Sequence, residues 1–177
     1  NILKWIKKGS ETPQKAPKPK TAIDGDYLYT YQEVEGKEPG WRVELREFRQ
    51  EKDHFAPILD SIDDKPVNDI SGLFKGCKNL AIAPKLSTNT RYMKEAFEGC
   101  ERLSRAPEIP ACVMDFRSAF ENCINLKELP KFSGFPACMS NLPMIKNCFA
   151  NTGITEKKTE LQVIKIGELS DGSIAGE

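Results

Sequence analysis

An α/β solenoid of three to four short stacked coils, closed at its N-terminal end by a β-hairpin, is the fold class that this sequence predicts. Three observations carry that expectation. A Phe-x-x-Cys-x-x-Leu core recurs as Phe74/Cys77/Leu80, Phe97/Cys100/Leu103 and Phe120/Cys123/Leu126, a period of 23 residues. A proline stands ten residues after each Phe (Pro84, Pro107, Pro130), with an apolar side chain two residues further on (Leu86, Ile109, Phe132). Ahead of the repeats, two segments of alternating character flank a Gly- and Pro-containing turn. A unit this short cannot bury its own apolar side and must stack on its neighbours.

The elements follow in chain order. Residues 1–20 carry six lysines against one Glu, with Pro13, Pro17 and Pro19 among them, and read as an extended linker or docking arm. Ile2, Leu3, Trp5 and Ile6 form its apolar tip, which would seek a partner surface or a route to a homo-oligomer. Asn1 is not a Met, which leaves room upstream for a signal peptide, an anchor or a larger region. Residues 21–69 form the cap and the lead-in to the repeats: Tyr27 to Val34 and Trp41 to Phe48 read as a β-hairpin over the open end of the first coil.

Residues 70–155 form the array. Apolar side chains four before, one before and at each Phe (Ile70/Leu73/Phe74, Met93/Ala96/Phe97, Phe116/Ala119/Phe120) follow helical spacing, which predicts a turn or two of helix per coil. Leu80/Ala83/Leu86, Leu103/Ala106/Ile109 and Leu126/Leu129/Phe132 read as short extended segments, stacking as a narrow parallel sheet at roughly 4.8 Å. A degenerate fourth copy, Ile145/Cys148/Phe149, arrives six residues late and reads as the capping coil. The excess is placed around Ser133-Gly134-Phe135-Pro136 as an outward bulge, with Phe135 either an exposed tip or folded back over the last coil. Residues 156–177 are expected to hold a last strand, Leu161 to Ile166, and a tail.

The pattern M-x-x-x-F-x-x-C-x-x-L-x-x-A-P-x-I-P across residues 93–110 resembles the BspA-like leucine-rich repeats of bacterial surface proteins and prophage-encoded proteins. Ile58 to Ile70 is similar to the stretch that precedes the first repeat in that family, so the resemblance covers about residues 55–155. It implies a short leucine-rich-repeat array that works in adhesion or recognition. The array is very short for the family.

The reactive residues have plain structural explanations. Cys77, Cys100 and Cys123 share one repeat position and are expected as an inward column of free thiols, with Cβ spacing of roughly 4.8 Å against the ~3.8 Å a disulfide prefers. Cys148 belongs to the core, and Cys112 and Cys138, both in Pro-Ala-Cys, are the one pair that adjacent coils could bring together. No C-x-x-C pair suggests zinc. His54 is the single histidine; a Cys-His pair with Cys112 or Cys138 is conceivable, but nothing local activates either thiol. Asp24-Gly25-Asp26 and Asp63-Asp64 are explained by turn chemistry. Nucleotide-binding, serine-hydrolase and zinc-protease patterns are absent, so neither an enzyme nor a cofactor is expected.

What remains is surface. Outward columns Ile82/Arg105/Glu128 and Lys85/Glu108/Lys131, together with Phe135, Pro136 and Trp5, are the candidate partner-binding residues. With 26 basic and 26 acidic residues the formal charge is zero, which gives no global attraction to nucleic acid; no apolar run reaches the roughly 18 residues of a membrane span. The expected function is a non-enzymatic interaction or adhesion module for a protein or glycan, exported or displayed on a bacterial cell surface. The alternative is a structural or receptor-binding part of a phage tail or similar particle.

Overall fold

The computed structural model describes residues 18–47 and 51–154. The docking arm with Trp5, the end of the second hairpin segment at Phe48 and the strand expected at Leu161 to Ile166 lie outside the described residues.

The chain does not form an α/β solenoid of leucine-rich repeats. It forms a mixed five-stranded sheet curled into a half-barrel, with almost no helix. Strands β1 (Thr21–Asp24), β2 (Tyr27–Gln32), β3 (Gly40–Leu45), β4 (Ser61–Ile62) and β5 (Lys65–Asp69) lie in the order β1-β2-β3-β5-β4, and the helical content is two 3-10 turns, Ala137–Ser140 and Leu142–Ile145. Strands β1, β2 and β3 are antiparallel, and β3 runs parallel to β5. Alternation places Tyr27, Tyr29, Trp41 and Val43 wholly inside. Their polar tips are satisfied there: Tyr27 Oη donates to the Ala56 carbonyl, Tyr29 Oη accepts from Leu59 N–H at 3.2 Å and Trp41 Nε1 donates to the Ile62 carbonyl at 3.0 Å. Asp63 and Asp64, both at positive φ, make the two-residue turn between β4 and β5. Gly40 is required by close approach, since a Cβ there would sit 2.4 Å from the buried Asn68 side chain.

Beyond β5 the 23-residue units stack as turns, not as helices. The N–H groups of Ile70, Gly72, Phe74 and Gly76 donate to the carbonyls of Tyr92, Lys94, Ala96 and Glu98 in the next unit at 2.8–2.9 Å. Met93, Glu95, Phe97 and Gly99 do the same to Asp115, Arg117, Ala119 and Glu121, and Phe116, Ser118, Phe120 and Asn122 to Met144, Lys146, Cys148 and Ala150. The N–H groups in between close i to i−3 turns inside each unit, as Leu73 to Ile70, Lys75 to Gly72 and Cys77 to Phe74. An α-helix would take every one of these donors for itself. Sending alternate amides sideways needs left-handed residues, and Gly72/Glu95/Ser118/Asn147 and Gly76/Gly99/Asn122/Asn151 all have positive φ. The helical spacing of the apolar side chains was therefore a turn spacing. The expected parallel sheet is likewise reduced to isolated bridges: Asp69 to Tyr92 to Asp115, Ile82 to Arg105, and Ile109 to Phe132.

Inside the stack, Phe74, Phe97, Phe120 and Phe149 lie face to face with ring centroids 5.2, 5.1 and 5.8 Å apart. Tyr27 and Phe55 of the sheet region close the first ring of the column, at 6.3 and 5.2 Å from Phe74. The six-residue excess is spread from Ser133 to Ile145: Ser133 still pairs in phase with Ile109, whereas Met144 accepts from Phe116 six residues out of phase, with the two 3-10 turns between.

The unfolding free energies of three variants check this arrangement. Phe97→Ala, a deletion at the centre of the ring column, should cost about 3 to 5 kcal/mol. Gly99→Ala should cost roughly 1 to 2 kcal/mol through its left-handed backbone alone, because the added Cβ meets only Gly76 at an ordinary 3.7 Å; Asn122→Gly, at the same repeat position, should be neutral or stabilising. Equal losses in both would show that the left-handed position is not the constraint.

Candidate functional site

The seam between the first two units opens at one place. It is closed at Ile82, where Ala83 N–H donates to Arg105 at 3.0 Å. Between the second and third units the corresponding seam is closed at Ile109, whose N–H donates to Lys131 at 2.8 Å and whose carbonyl accepts from Ser133 N–H at 2.9 Å. One unit earlier, the same pair of bonds would run from Leu86 N–H to Glu108 and from residue 110 to the Leu86 carbonyl. Residue 110 is proline and has no N–H to give. Among the described residues neither bond is present.

The gap is a groove of about 490 Å³ lined by Lys85, Leu86, Thr88, Glu108, Pro110, Ala111, Cys112 and Ser133. Its floor is apolar (Leu86, Pro110, Ala111) and its walls are charged or polar. Ser133 closes one end, its Oγ accepting from Ala111 N–H at 2.8 Å. Gly134 lies close enough to Ala111 that a Cβ would meet it at 3.3 Å, and the next residue, Phe135, is 60% exposed. The turn that seats Gly134 against the groove thus presents an aromatic ring to solvent beside it; Pro136 is buried.

The sequence-derived candidates divide accordingly. Lys85 and Glu108 line the groove, and Lys131 is 3.8 Å from Glu108. Ile82 and Arg105 share a parallel bridge, both exposed, and Glu128 is exposed on the following unit; none of these three lines the groove. The groove itself was not foreseen, and its signal, a proline at position 110 where the next unit has Ser133, was present in the sequence.

None of the six cysteines is in a disulfide. Cys100 Sγ donates to the Phe74 carbonyl at 3.2 Å and Cys123 Sγ to the Phe97 carbonyl at 3.0 Å, so these two thiols tie the second and third units to the ones before them. Burial pushes the Cys77 thiol up to about 11 and that of Cys123 to about 12. Cys100 is raised further, by burial and by the thiols on either side of it. Cys138 is buried and is pushed up to about 11 for the same reason. Cys112 is half-exposed in the groove and donates to the carbonyls of Thr88 and Thr90 at 3.4 and 3.2 Å. The pairing of Cys112 with Cys138 is therefore not formed. His54 Nδ1 is 2.7 Å from Asp53 Oδ1 with both side chains exposed, and the imidazole holds the Asp53 carboxyl below its usual range. Among the described residues no group of three His, Cys, Asp or Glu could hold a metal ion, and no helix is long and apolar enough to cross a membrane.

No protein-family model, curated protein or solved structure matches the chain.

The thiol column makes stability depend on alkaline pH with a definite sign. A thiol whose proton is held more tightly in the folded chain favours folding fully below the ordinary thiol range, and that contribution is lost as pH rises through the folded value. Unfolding free energy should therefore fall from about pH 9 to pH 11, by up to about 1.4 kcal/mol per pH unit for each thiol involved. Cys123→Ala should flatten the slope measured in denaturant titrations. Without denaturant, a thiol reagent should label Cys112 first, a result read by peptide mass mapping.

Proposed function

We propose that this protein is a non-enzymatic recognition module that seats a protein or glycan ligand in the groove between its first two repeat units, with Phe135 as the aromatic anchor beside it. The groove carries the reading: about 490 Å³ of space over an apolar floor, rimmed by Lys85 and Glu108. A concave apolar floor with a few charged groups is the usual make-up of a ligand site. A protruding aromatic side chain held by Gly134 and Pro136 orders at small entropic cost. The resemblance of residues 93–110 to repeats of bacterial surface proteins supports display at a cell surface or on a particle as part of the same proposal.

Binding to arrays of peptides and of glycans tests it. Phe135→Ala should weaken binding by at least about tenfold, the scale of an aromatic interface anchor, and should leave the thermal midpoint within about 3 °C because the ring covers no core. Unchanged binding with a lowered midpoint would make Phe135 a packing residue and remove it from the site.

A further inference from the structure

We infer that the ligand of the groove is an extended acidic peptide, which pairs with the backbone of Leu86, places an apolar side chain on the groove floor and sets a carboxylate against Lys85. This inference rests on the groove being the recognition site and names what it recognises. In the next unit, the residue corresponding to Leu86 is Ile109, and it uses both its N–H and its carbonyl toward the neighbouring unit, as one residue of a parallel ladder does. Leu86 occupies the same register, and Pro110 withholds the partner that would use its carbonyl. One residue with donor and acceptor both unused by the neighbouring unit, lining a groove, is what an added strand takes up. A glycan has no matching spacing of amide and carbonyl.

The charges choose among peptides. Glu108 is 3.8 Å from Lys131, whereas Lys85 makes no ion pair among the described residues and is exposed at the groove wall. Lys131, outside the lining, stands against Glu108, so Lys85 is the one lining charge with no counter-charge beside it among the described residues, and it complements a carboxylate. The side chain that enters must be apolar because Leu86, Pro110 and Ala111 offer it no polar partner on the floor.

The test uses the full chain and three capped heptapeptides: a central Leu flanked by Glu, the same peptide with Lys in place of Glu, and the Glu peptide N-methylated at the Glu that follows its central Leu, whose N–H would reach the Leu86 carbonyl as that of Ser133 reaches Ile109. The Glu peptide should bind at least about threefold more tightly than the Lys peptide, the scale of an exposed ion pair, and Lys85→Glu should reverse that order. N-methylation should cost about tenfold, the scale of a lost backbone hydrogen bond with its partner left unpaired. Pro110→Ser, which gives position 110 the residue found at 133, should close the seam: peptide binding is lost while the unfolding free energy holds or rises. A drop in stability with retained binding would overturn the inference, as would equal binding of all three peptides or binding of none. Glycan binding lost in Phe135→Ala but unchanged in Pro110→Ser and Lys85→Glu would leave the recognition module standing and reject the peptide.

Discussion

Everything in the repeat region depends on one constraint: alternate backbone amides of each unit must reach the carbonyls of the next. Meeting it fixes two left-handed residues per unit, excludes a helix and brings equivalent Phe rings to face-to-face distance. It also sets the thiols one unit apart, with Cys100 and Cys123 each within reach of the carbonyl of the Phe one unit before. A buried amide left unpaired costs more than a single formed bond returns, so the ladder tolerates little error. The units can vary on their outer face, where charge and polarity alternate, but not at these inward positions.

The sheet and the stack are joined at β5. Asp69 ends that strand and is also the first rung of the bridge column continued by Tyr92 and Asp115. It is 2% exposed, is paired with Lys37 at 3.1 Å and Arg42 at 3.6 Å, and accepts from Ser71 N–H at 2.9 Å, so the start of the first turn and the edge of β3 are fixed through one carboxylate. Asn68 beside it donates to the carbonyls of Glu38 and Pro39 and accepts from Arg91 and Tyr92, which holds β3 and the second unit to β5. The curled sheet thereby continues into the stack and supplies the rings that close the Phe column.

The groove lies where the ladder cannot be completed. At Ile109 the seam is closed by two hydrogen bonds; at Leu86 the bond to its carbonyl cannot form because Pro110 has no amide hydrogen, and the bond from Leu86 N–H to Glu108 is absent as well. A closed array pairs its backbone along the seam; the open seam leaves backbone groups of Leu86 without that pairing beside a groove of about 490 Å³. Stability is conceded at one rung, and the surrounding rungs keep the opening in place.

How much was legible follows from which interactions are local. The period, the Phe, Cys and Leu columns, the turn at Asp63-Asp64 and the alternation of β2 and β3 are periodic or nearest-neighbour features, and the sequence by itself determined them. Gly76, Gly99, Asn122 and Asn151 also carried the left-handed requirement in plain view, yet apolar spacing alone reads the same for a helical turn and for two linked β-turns. Which of the two forms is decided by where each amide finds its acceptor, and that acceptor lies 22 residues on, or 28 at the last unit. The half-barrel, the joining of β5 to the stack and the groove at Leu86 depend on those distant partners, so only the tertiary structure decided them.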